Sequence, residues 1–174
     1  MKRLSLFAAA TAVALFAGAG LVQAQQKVDS ASQKFLTNAM EGDYAEIDVG
    51  KLAQEKGTSQ AVKDFGAKLV QDHSAHLEKA KQVAAQVGVK DPNGSGAMAK
   101  ASYLKLKILS GASFDRTFAK DMVTDHQKDI EEYRKEAAKT DPVGQLAKET
   151  IPTLEEHLRI AQSTRQQAQT TGSK

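Results

Sequence analysis

The 174-residue chain has no cysteine. That absence excludes structural disulfides, thiolate metal sites, a cysteine nucleophile and a lipid-modified N-terminal cysteine. Other signatures of catalysis are missing too. There is no Gly-x-Ser-x-Gly elbow and no glycine-rich phosphate loop, and Gly94-Ser95-Gly96 reads as a plain loop. Apolar and polar residues nowhere alternate, so no segment reads as a strand. No basic stripe interleaves with aromatics, which make up only 5% of the chain, so nucleic acid is not an expected partner. After the N-terminal segment no apolar run is long enough to span a bilayer.

What the chain does have begins with an export signal. Lys2 and Arg3 precede an uncharged run from Leu4 to Gly20, and Val22-Gln23-Ala24 carries small or modest residues where a signal peptidase reads. Residues 1–24 are therefore expected to be a cleaved signal peptide and 25–174 a single domain. Cleavage removes only Lys2 and Arg3, so the net charge of +3 falls to about +1. The basic pI near 9.0 thus belongs to the precursor. The expected destination is the periplasm, with outer-membrane association through contact alone.

The rest repeats apolar residues at three- and four-residue steps, the period of amphipathic helices. A first helix is expected from about Ser30 to Lys56, with Gly57 as its stop. A second starts at Thr58 or Ser59 as N-cap and stops at Gly88. Residues 89–97 form a loop, and a short helix follows over about Met98–Leu109. A third long helix is expected from an N-cap at Ser113 to about Lys139. A fourth opens at Asp141-Pro142 and runs to about Gln167, with a kink at Pro152. The fold class is all-α. Four long helices form two hairpins, and the connection between the second and third, with its short extra helix, is long enough to cross the molecule as in a ferritin-like four-helix bundle.

Two internal echoes compete. One matches the first helix with the third (Phe35 and Glu46 with Phe114 and Asp125) and the second with the fourth (His76-Leu77 with His157-Leu158). The other matches Phe65, Leu69-Val70 and Asp72-His73 with Phe118, Met122-Val123 and Asp125-His126. Both cannot reflect one duplication.

All four histidines lie on or beside apolar stripes: His73 and His76 on the second helix, His126 on the third, His157 on the fourth. Asp72, Asp125 and Glu156 each precede a histidine. Glu46 shares a face of the first helix with Asp43, Gly50 and Ala53, whose small side chains would leave room beside its carboxylate. Imidazole with carboxylate suits iron, zinc, copper or manganese. His73 and His76, three residues apart, can share one ion. The competing reading has the histidines hydrogen-bonded to carboxylates or backbone, tying helices together. A di-iron centre of the usual kind needs Glu-x-x-His on two helices. None occurs here, so any site is richer in histidine and poorer in carboxylate.

The segments Phe65-Gly66-Ala67-Lys68-Leu69-Val70-Gln71-Asp72-His73, Phe114-Asp115-Arg116-Thr117-Phe118 with Met122-Val123-Thr124-Asp125-His126, and Ile151-Pro152-Thr153-Leu154-Glu155-Glu156-His157-Leu158 resemble three ordered motif blocks of the bacterial domain-of-unknown-function family 4142. The resemblance covers about Ser32 to Gln162. It implies a ferritin-like four-helix fold and a place in the cell envelope, and it carries His73, His126 and His157 as motif histidines while leaving His76 outside. The family's usual label, predicted outer membrane protein, finds neither barrel strands nor a lipid-bearing cysteine here.

The leading expectation is a non-enzymatic envelope protein with a binding or stress-related role, holding a transition metal on His73, His126 and His157 with Glu46 or Asp72. The alternatives are a structural or protein-interaction module with an envelope protein as partner, and a metalloenzyme of non-standard type.

Overall fold

A computed structural model describes residues 27–171. It consists of five helices: α1 Ser30–Lys56, α2 Gln60–Val87, α3 Ala97–Lys107, α4 Gly111–Glu136 and α5 Pro142–Thr171. No strand occurs among the described residues. The expected signal peptide lies outside them.

The helix ends follow local chemistry. Asp29 caps α1, its carboxylate accepting from the Ser32 amide at 2.7 Å. Ser59 caps α2 by accepting from Val62, and Gly88, at φ 75°, ends it in the left-handed conformation that glycine adopts without a Cβ penalty. Asp141 accepts from the amides of Val143 and Gly144 and so opens α5. That helix runs through Pro152 without ending. The start of α4 differs from expectation. Its ladder begins at Ser110, whose carbonyl accepts from Phe114 at 3.3 Å. Ser113 lies inside the helix, and its hydroxyl accepts from Arg116. Gly111, at φ 59°, makes the turn out of α3. The helix also closes earlier than its periodicity suggests, at Glu136.

α1 packs along α2 and α4 along α5, while α2 meets α5 and α3 lies across α1 and α4. The first hairpin is antiparallel and very close. A Cβ on Gly50 would stand 2.7 Å from the Gly66 carbonyl oxygen, and one on Gly66 would stand 2.6 Å from that of Gly50. This corrects one expectation: Gly50 does not leave room beside Glu46, because the backbone of α2 fills that space. Across the core, Phe65 meets Phe118 with ring centroids 5.7 Å apart, and His73 meets His126 at 6.0 Å. Residue order rises along both helices, so α2 and α4 run parallel. The long connection therefore does cross the molecule. The pairs that meet are those of the second echo.

Polar ties fix the two ends. The Asp115 carboxylate of α4 accepts from the Thr58 amide, the Thr58 hydroxyl and the Ser59 amide at 2.7–2.9 Å. At the other end the Ser32 hydroxyl donates to Glu136 at 2.5 Å, and Lys139 reaches both Glu136 and Asp29. Between these ends lie three apolar clusters. One is built on Phe65, Phe114, Phe118 and Leu69, a second on Leu36, Met40, Leu77 and Val143, and a third on Ile130, Tyr133 and Leu154. Fully burying each large side chain contributes about 1.5–3 kcal/mol. The histidines sit between the first and third clusters, with the Phe65 ring 6.4 Å from His126 and 6.0 Å from His157.

Candidate metal centre

Three helices deliver one histidine each: His73 from α2, His126 from α4 and His157 from α5. His126 and His157 are fully buried and His73 is 7% exposed. One nitrogen of each faces the other two, all within 4.8 Å of one another. Among the described residues no other group of three or more His, Cys, Asp or Glu side chains comes together this way.

The hydrogen bonds on the far side of each ring fix where the protons are. His126 Nδ1 lies 3.0 Å from the Met122 carbonyl oxygen. A carbonyl only accepts, so Nδ1 carries the hydrogen and Nε2 a lone pair. His157 Nε2 lies 2.8 Å from Asp72 Oδ2. Burial pushes the Asp72 carboxyl up, but hydrogen bonds from His157 and Lys68 outweigh it and hold the group below its ordinary value. Ionised Asp72 accepts, which leaves the lone pair of His157 on Nδ1. His73 Nδ1 donates to Asp43 Oδ1 at 2.9 Å, and its Nε2 is buried with no partner.

The lone pairs of His126 Nε2 and His157 Nδ1 therefore point at each other, and the unpartnered Nε2 of His73 lies beside them. The sharpest contact is His126 Nε2 to His157 Nδ1, 3.2 Å apart. Protonation does not relieve it. Burial, reinforced by repulsion from His73 and His157, lowers the His126 pKa to about 3 against the opposing bond to Met122. Burial also lowers that of His157, the bond to Asp72 only partly offsetting it. A buried polar atom without a partner costs about 1–3 kcal/mol, and of the three inward nitrogens His73 Nε2 has none. Two nitrogens bound to one tetrahedral zinc ion at about 2.0–2.1 Å stand about 3.3 Å apart, close to the His126–His157 spacing. A carboxylate or carbonyl behind each ligating imidazole is the usual support of a histidine metal site, fixing tautomer and ring orientation. Asp43, Asp72 and Met122 stand in those positions.

The other expected residues have different places. Asp72 touches the nitrogen of His157 that points away from the cluster, so it orients that ring. His76 stays outside the convergent group: its Nδ1 donates to Asp43 Oδ2 at 2.7 Å, and its Nε2 is buried without a partner. His73 and His76 thus share a carboxylate. Glu156 pairs with Lys68 at 3.5 Å. Glu46 also lies outside the trio, lining a cleft on the α1–α4 side that reaches His73. Its carboxyl is held well above the usual range by burial and then by repulsion from Asp129, Asp125 and Asp43. Two residues, one backing His73 and one lining the adjacent cleft, carry no strong sequence signal. Asp43 precedes Glu46 by three residues, which marks a shared face but not its two histidine partners. Asp129 is visible only as an acid following His126 by three residues.

The profile of a domain-of-unknown-function family, DUF4142, matches residues 17–164. No functionally curated protein matches the chain. Among solved structures it is similar to a DUF305 fragment from Deinococcus radiodurans, with a TM-score of 0.70 and 14% identity over 82% of this chain and 99% of that one. At that identity the likeness speaks to the helical fold alone. No described helix is long and apolar enough to cross a membrane.

Proposed function

Starting from the chain's membership of the DUF4142 family, whose function is unassigned, we propose that it binds a divalent transition-metal ion through His73 Nε2, His126 Nε2 and His157 Nδ1. The single observation that carries this reading is the convergence of three buried imidazole nitrogens, each ring backed by its own acceptor. A purely structural role explains the backing bonds but not the lone pairs turned toward each other. Three neutral nitrogen donors favour zinc or copper over manganese, which prefers oxygen, and the absence of cysteine removes competing thiolates. Neither carboxylate expected among the ligands is needed for the trio.

The reading extends to the whole protein. It is an exported, periplasmic four-helix bundle of ferritin-like layout that binds metal without turning over a substrate, in contact with the outer membrane or an envelope partner. Supporting it are the parallel course of α2 and α4, the crossing connection and the N-terminal signal pattern.

Elemental analysis of protein purified from periplasm without a tag or chelator tests both parts. The expected result is zinc or copper near one per chain, lost in His126→Gln. Metal-free protein that takes up neither ion on titration would return the histidines to a structural role and turn attention to protein partners.

A further inference from the structure

On the α1–α4 side of the histidines lies a cavity of about 50 Å³, lined by Asp43 and Glu46 of α1, His73 of α2, and Asp129, Glu132 and Tyr133 of α4. That is room for an ion with one or two waters. No lysine or arginine lines it. Asp43 is committed to His73 and His76. Glu46, which lines this cavity, is committed to nothing: the residue is 8% exposed, and its Oε2 is buried without a partner. Asp129, half-buried across the cleft, has no basic partner within ion-pair distance. Gly42, on the same wall, leaves open space where a Cβ would stand.

Of the four carboxyl groups that line this small cavity, Asp43 is bonded to two histidines and Glu132 pairs with Lys128 at 3.7 Å, which leaves Glu46 and Asp129 as the donor set of an oxygen-preferring ion. We propose that this cleft is a second cation site, in which Glu46 and Asp129 bind a hard divalent ion of the manganese or magnesium class, separate from the nitrogen site behind it. Such ions are held by one or two carboxylates and keep several waters. The inference rests on Glu46, Asp129 and the cavity, and it stands whether or not the histidines bind metal.

The test is Mn(II) titration of the purified protein, reading free Mn(II) by electron paramagnetic resonance. Two backgrounds isolate the cleft: His126→Gln with His157→Gln, and wild type preloaded with one equivalent of Zn(II). The second keeps the test valid if the double variant fails to fold. One Mn(II) per chain is expected in both. Glu46→Gln with Asp129→Asn, which keeps the shape of both side chains, should weaken Mn(II) binding by about tenfold or more and leave zinc binding within about threefold of wild type. Gly42→Leu, which removes no carboxylate, should weaken Mn(II) by filling the cavity. Undiminished Mn(II) binding in the double carboxamide variant, or no binding in the zinc-loaded wild type, would overturn the proposal. Loss of zinc binding in His126→Gln with Mn(II) binding intact would separate the two sites.

Discussion

Glycines on α1 play opposite parts. Gly42 is exposed, inside a helix, and a Cβ there meets nothing within 4 Å. Its backbone freedom in the unfolded state opposes folding, so Gly42→Ala should stabilise the chain by about 0.5–1 kcal/mol in urea melts. Gly50 is pressed against Gly66, where an added Cβ would stand 2.7 Å from a carbonyl oxygen. Gly50→Ala should force the α1–α2 hairpin apart and cost about 1–3 kcal/mol. Sequence gives both glycines the same appearance, since neither ends a helix, and only the facing element distinguishes them. The histidines divide in the same way. Their stripes place all four near the core, but which nitrogen points inward depends on acceptors from other helices. Asp43 and Asp72 are therefore readable as nearby acids but not as partners of particular rings.

Among the elements, the end of α1 and both ends of α2 were legible because Gly57, Ser59 and Gly88 carry stop and capping chemistry in the chain itself. The start of α4 was not, since Ser110 and Ser113 look alike and the turn depends on Gly111 entering the left-handed region. The tie between α4 and the α1–α2 turn is another feature without a local signal. Asp115 closes three hydrogen bonds there, and burial, which would raise its carboxyl, is outweighed by them, so its pKa is lowered. Its contribution is present above the ordinary carboxylate range and is lost as pH falls through the lowered value. Asp115→Ala should therefore cost about 1–3 kcal/mol at pH 7, and markedly less in strong acid. Asp129 behaves in the opposite sense. Burial, then repulsion from Asp125 and Glu132, raises its pKa to about 7. Its proton is retained in the folded state after the unfolded chain has lost it, so stability is fully present below about pH 3.8 and declines as pH rises toward 7. In chelator-treated protein, Asp129→Asn should raise the melting temperature at pH 8, by an effect worth about 1–2 kcal/mol, and change it little at pH 4.

For the whole molecule, the all-α class followed from periodicity alone, whereas the length of the long connection only permitted a crossing, and the parallel course of α2 and α4 comes from the ring contacts between them. The convergence of the three histidines did not. It requires α2 and α4 to run parallel with Phe65 opposite Phe118 and His73 opposite His126, and α5 to be rotated so that His157 faces both. An echo between the second and third long helices hinted at that register, but a rival echo had equal standing in the sequence. If the convergence serves a metal, the ion binds the folded state alone and should stabilise all the helices together. Free zinc at a hundredfold excess over its dissociation constant should add about 2.7 kcal/mol. The most direct measurement is calorimetric titration of chelator-treated protein with Zn(II) at pH 7, in wild type and in His126→Gln, with folding of both checked by circular dichroism. The account predicts one zinc per chain in wild type and at least about a hundredfold weaker binding in the folded variant. Equal affinity in the two proteins would contradict it.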